Sequence, residues 1–141
     1  MNADAVFKIF SDMFSVFRTN LKDIIGRVPE IKAFDAKEQL IINEFQSIHS
    51  FSLAITNNCY DLVYLYSATK TVAMLSYLVK RLPQLIKHLE YQVKYVEYII
   101  ESDEIKELTP LCQELLANFN AMLEKLGEIQ TSLEEQWAKH M

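Results

Sequence analysis

The chain has 141 residues, half of them hydrophobic, with two glycines, three prolines and a formal charge of −5. That length suits one domain with a sizeable core, the hydrophobic content argues against disorder, and turn formers are too scarce for a β-sandwich or barrel. No stretch forms the basic stripe of a nucleic-acid binder, so no nucleic-acid partner is expected. Few turns and long periodic runs predict an all-α, up-and-down antiparallel four-helix bundle, one domain over residues 1–141.

The first helix is expected over about 3–25, ending at Gly26 as a C-terminal cap. Phe7, Phe10, Phe14 and Phe17 step 3-4-3 into Leu21, while Lys8, Asp12, Arg18, Lys22 and Asp23 supply a polar side. Such a stripe serves a core or, alternatively, a membrane surface; the mixed charges favour the core. The N-terminal residues carry Asp4 and Lys8 and lack a signal-peptide core, which fits a cytoplasmic protein.

Asp35-Ala36-Lys37-Glu38 resembles a capping box and starts the second helix. Leu40, Ile41, Phe45, Ile48 and Ile55 are expected to form its buried face. From Gln46 to Val79 the only formal charges are Asp61 and Lys70. A helix with one wet face normally carries Lys and Glu there, so this stretch is expected to meet a second subunit, a protein partner or lipid. Lys70, near the middle of its most apolar part, makes a bilayer span costly. Asn57-Asn58 is the expected turn, because Asn tolerates left-handed backbone and caps helices. The second helix is accordingly placed at about 36–57 and the third at about 59–101.

Within the third helix Leu75, Val79, Leu82, Ile86, Leu89, Val93, Val96 and Ile100 follow at steps of 4-3-4-3-4-3-4, a heptad seam. Pro83 leaves its phase intact, so a kink within one helix is expected there rather than a stop. Thr109-Pro110 signals the last helix, about 110–139. Leu108, Cys112, Leu115, Phe119, Met122, Leu126, Ile129 and Leu133 repeat the same spacing, so the two seams should pair as an antiparallel hairpin. Residues 72–100 carry four basic and two acidic groups and residues 101–141 three and nine, which favours that pairing. Gly127 would mark a close helix approach.

Catalytic patterns are missing. No Glu lies three residues before His49, His88 or His140, as a di-iron bundle requires, and no phosphate-binding loop, HExxH or GxSxG occurs. Glu101, Asp103, Glu104 and Glu107 are densest in carboxylates but read as a solvated helix end. Cys59 and Cys112 read as reduced core thiols. No enzyme, cofactor or metal site is expected. The residues expected to carry function are His88, Tyr91, Tyr95 and Tyr98, an aromatic stripe with polar tips, and Tyr60, Asp61, Tyr64 and Lys70 from the charge-poor stretch. Asp61 and Lys70 are nine residues apart, on opposite faces of a helix, so each would need a buried or intersubunit partner. The expected function is a non-enzymatic protein–protein interaction module: an adaptor, an inhibitor or immunity-type partner, or a subunit of a helical assembly that binds itself. The alternative is a membrane-active bundle exposing the first helix or the 46–79 stretch on a trigger.

Overall fold

The computed structural model describes all 141 residues and has four α-helices: α1 (Ala3–Gly26), α2 (Ala36–Thr69), α3 (Val72–Ser102) and α4 (Leu108–Ala138), with a 3-10 turn at Val28–Glu30 after α1. Each helix packs on the next, and α4 closes the ring on α1. Successive helices run antiparallel. Phe7 meets Tyr60 and Tyr64, Phe51 meets His88, and Phe17 meets Phe119. This is the expected four-helix bundle.

The α1 stripe is core. Phe10, Phe14, Phe17, Leu21 and Ile24 are buried, and Asn2 caps the helix by accepting a hydrogen bond from the Ala5 N–H at 2.8 Å. Gly26 is the last residue of α1, yet no glycine has positive φ. The helix closes instead with the Arg27 N–H donating to Ile24 and Ile25.

Asp35 caps α2 as expected, accepting from the Glu38 N–H at 2.9 Å. The helix then continues through Asn57-Asn58, contrary to the expected turn there. Both asparagines are exposed, while Ser52, Thr56, Cys59, Val63 and Tyr66 form an unbroken buried stripe across them. Weak helix propensity costs a few tenths of a kcal/mol per Asn; burial of Cys59, Val63 and Tyr66 offsets it several times over. The turn lies at Lys70-Thr71. Lys70 is left-handed at φ 53 with its N–H on the Tyr66 carbonyl, and Thr71 caps α3 by accepting from the Met74 N–H at 3.3 Å. At 34 residues, α2 is about 51 Å long.

In α4 the seam is as expected: all eight residues are at most 1 % exposed. The helix starts two residues before the expected position, placing Pro110 in its first turn, where the missing N–H has no helical partner to lose. In α3 the seam is displaced. The buried residues are Leu75, Leu78, Leu82, Leu85, Leu89, Val96 and Ile99, whereas Val79, Ile86, Val93 and Ile100 are half-buried flankers. Because α3 packs on both α2 and α4, its buried arc is wider than one seam, and Leu85 faces Ile55 and Cys59 of α2. The helix is continuous through exposed Pro83. Gly127 does not mark a close approach: a Cβ there would meet nothing within 4 Å.

Buried polar groups are few. The Asn118 amide donates to the Phe17 carbonyl at 3.0 Å and accepts from Asn20 at 3.3 Å, tying α4 to α1. At the other end of the bundle the Tyr66 hydroxyl donates to Gln136 at 2.6 Å. The Ser52 hydroxyl is buried with no partner.

Candidate interaction surface

Two rows at heptad spacing form the outer face of α2 and α3. On α3 the row is Tyr77, Arg81, Gln84, His88, Tyr91, Tyr95 and Tyr98, all exposed except half-buried Tyr95. On α2 it is Leu40, Glu44, Ser47, Phe51, Ala54, Asn58, Asp61 and Leu65, all exposed. The helical repeat sets both rows directly: residues 3 and 4 apart share one face, and on α3 that face flanks the core residues on the side that meets α2.

Two contacts join the rows. The Phe51 ring meets His88 edge-on, with centroids 6.2 Å apart. The Tyr95 hydroxyl donates to the Glu44 carboxylate. Beyond Phe51 and His88, towards the α2–α3 turn, Ile55, Asn58, Cys59, Arg81, Leu85 and His88 enclose a notch of about 70 Å³, too small for more than a water or two. Burial first, and then the bond to Glu44, hold the Tyr95 phenol above the ordinary tyrosine range. Tyr95 is therefore a neutral donor at any physiological pH.

The aromatic content of this face is high. Tyr77, Tyr91 and Tyr98 are 53 %, 55 % and 67 % exposed, and Phe51, Leu40 and Leu65 are exposed beside them. The Lys87 ammonium sits 6.0 Å from the Tyr91 ring centroid, at the outer limit of a cation–π contact. The charges are unpaired: Glu44, Asp61, Lys80, Arg81 and Glu97 have no ion partner within 4.0 Å. Arg81 donates only to Gln84, at 2.6 Å.

Of the residues expected to carry function, His88, Tyr91, Tyr95 and Tyr98 share this face, and Asp61 lies on its outer edge. Tyr60 and Tyr64 do not belong to it. They turn to α1, where Tyr60 packs on Phe7, Phe10 and Phe14 and Tyr64 on Phe7. Lys70 sits at the α2–α3 turn, 3.1 Å from Asp4, both well exposed. Neither Asp61 nor Lys70 is buried, so neither has the buried partner that was one of the two expected for it: Lys70 leaves the helix at the turn, and Asp61 stands on the outer row of α2. Leu40, Phe51, Leu65 and Tyr77 also stand on this face, though they are not among the expected residues. Leu40 was assigned to the buried face, but α2 packs through Ile42, Phe45 and Ile48. The 4-3-4-3 spacing from Leu40 to Leu65 was the available signal.

Other candidate chemistry is dispersed. No three of His, Cys, Asp and Glu are placed to hold a metal ion. In the acidic stretch Asp103 is left-handed and ends α3, accepting from Thr109, and Glu104 pairs with Lys37 at 3.0 Å. Burial pushes both free thiols, Cys59 and Cys112, up to about 12, so neither is a nucleophile at neutral pH. On the far side of the bundle Met13, Phe17 and Met122 floor an open groove of about 440 Å³ between α1 and α4, beside exposed Val16. No helix is long and apolar enough to cross a membrane. Comparison of the chain with protein-family models, with curated proteins and with solved structures finds no match in any of the three.

Proposed function

We propose that this chain is a non-enzymatic helical interaction module that binds protein through the outer face of α2 and α3. It would act as an adaptor, an inhibitor or a subunit of a helical assembly. One observation carries this reading. Tyr77, Tyr91, Tyr98 and Phe51 stand exposed on a face where α2 has a single formal charge between Gln46 and Thr69. Aromatic side chains with few rotors and polar tips are what buried interface centres use, and ordering them costs little conformational entropy. Protein is favoured over lipid because a form bound to a membrane through α1 would have to expose Phe10, Phe14 and Phe17, which are at most 5 % exposed and central to the core, and the α2/α3 face carries exposed Glu44, Asp61 and Glu97, which an anionic lipid surface repels. The non-enzymatic part is supported by the scatter of His49, His88 and His140 and by the protonated, buried thiols.

The test is affinity capture from native lysate with immobilised wild-type protein, a Phe51→Glu/Tyr91→Glu variant, and a Val16→Glu variant altered on the α1/α4 side. All three positions are exposed, so folding should survive and is checked by circular dichroism. The wild type and Val16→Glu should retain the same proteins, and the double variant should lose them. Equal capture by all three would overturn the assignment of this face.

A further inference from the structure

We infer that the occupant of the α2/α3 face is a second copy of this chain, docked antiparallel about a two-fold axis that crosses α3 at His88. The inference rests on the proposal that this face binds protein, and it adds which protein and in what register.

A two-fold axis lying in the contact plane, perpendicular to the helices, sets α3 on α3 of the second copy and reverses the ends. The outer row of α3 is nearly self-complementary under that operation. With His88 at the axis, Gln84 meets Tyr91, Arg81 meets Tyr95, and Tyr77 meets Tyr98 of the second copy. The Arg81 position is the decisive one. Tyr95 already holds the Glu44 carboxylate through its hydroxyl, so the guanidinium arrives at a carboxylate and an aromatic ring together. Neither Arg81 nor Glu44 has an ion partner within its own chain. Arg81 and Tyr95 are about 21 Å apart along the helix, so the two cannot satisfy each other internally. The symmetry satisfies both, twice. The same operation brings Lys80 close to Glu97 but equally close to Lys94, and it sets Lys87 beside its own counterpart, so the exposed lysines do not fix the register and the Arg81–Glu44 pair does. Phe51, seated against His88, lies beside the axis, where the interface would be driest.

The size is sufficient. From Tyr77 to Tyr98 the face is about 32 Å long and two helices, about 20 Å, wide. It would bury roughly 640 Å² on each copy, or about 1,300 Å² in all, within the range of specific but modest interfaces. A parallel docking would set α3 against α2 and leave Arg81 without Glu44. The Arg81–Glu44 pair therefore selects the antiparallel register.

Sedimentation equilibrium between about 1 µM and about 1 mM, a span that covers modest interfaces, tests the proposal. Wild-type protein should form a dimer. Arg81→Glu alone and Glu44→Arg alone should each raise the dissociation constant about tenfold or more. The charge-swapped double variant Arg81→Glu/Glu44→Arg should return to within about threefold of wild type, because the coupling between the two positions is restored. Three results would overturn it: a wild type that stays monomeric throughout, a dimer indifferent to both single variants, or single variants that weaken it and a double variant that does not recover. A monomeric wild type whose α2/α3 face still captures protein from lysate refutes the second copy and leaves the interaction module standing. Loss of both refutes both.

Discussion

Replacing Lys70 by glycine and, separately, by alanine distinguishes the two places where the chain could turn from α2 into α3. Both substitutions remove the ion pair to Asp4, which is exposed on both sides and worth at most about 1 kcal/mol, so their difference isolates the backbone. Lys70 has φ 53 and ψ 29. Alanine in that conformation costs about 1–2 kcal/mol, from which about 0.4–1 kcal/mol is subtracted for the greater freedom of glycine in the unfolded chain. Lys70→Gly should therefore be the more stable variant by about 0.5–1 kcal/mol. Had the helices turned at Asn57-Asn58, position 70 would be a helix interior, where glycine is worse than alanine by about 1 kcal/mol. The two structures thus differ in sign and by close to 2 kcal/mol. Urea unfolding followed at 222 nm resolves this as a shift of the midpoint at constant slope. An alanine variant more stable than the glycine variant would refute the turn at Lys70.

Gly127→Ala should stabilise the fold by about 0.5–1 kcal/mol in the same assay, since the position is mid-helix and its Cβ would meet open space; a loss of stability would mean a helix does approach closely there. Ser52→Ala should also stabilise, by about 1 kcal/mol, because it removes a buried hydroxyl that has no partner. Native protein should react with a thiol reagent at pH 8 only as fast as it opens, and quickly in denaturant, since Cys59 and Cys112 are buried and pushed up to about 12. The same groups make stability fall on the alkaline side. An unfolded thiol loses its proton near pH 8.5, so between that value and about 12 the native state binds more protons and is weakened as pH rises. The loss is up to about 2 kcal/mol per thiol at pH 10. Urea midpoints at pH 8 and pH 10 that agree would contradict this.

The fold was legible because its strongest signals are periodic and local. The α4 seam, eight residues at heptad spacing, is buried without exception, and Asp35 caps α2 through its own side chain. What misled was the turn chemistry. Asn57-Asn58 offered two residues at ease in left-handed backbone, and Lys70 offered none of that preference. The core stripe from Ser52 to Tyr66 outweighs it, and Thr71 was the overlooked cap at the true junction. In α3 the phase through Val79, Ile86 and Val93 is apolar throughout, whereas the buried phase through Leu78 and Leu85 is broken by Gln92; only the presence of α2 and α4 on two sides decides between them. The proposed interaction face was half visible. His88, Tyr91, Tyr95 and Tyr98 are one row on one helix, so their spacing reveals them. The contribution of α2 depends on the register between helices, which pairs Phe51 with His88 and Glu44 with Tyr95 and which periodicity within a single helix does not encode.

Disulfide trapping across the proposed two-fold axis tests the use of the α2/α3 face most directly. Both native thiols are buried, so an added surface cysteine is the only one free to react. In the proposed dimer His88→Cys would face its own counterpart and should give a covalently linked dimer under mild oxidation, whereas Val16→Cys on the α1/α4 side should remain monomeric. Linkage through Val16→Cys but not through His88→Cys would contradict the account.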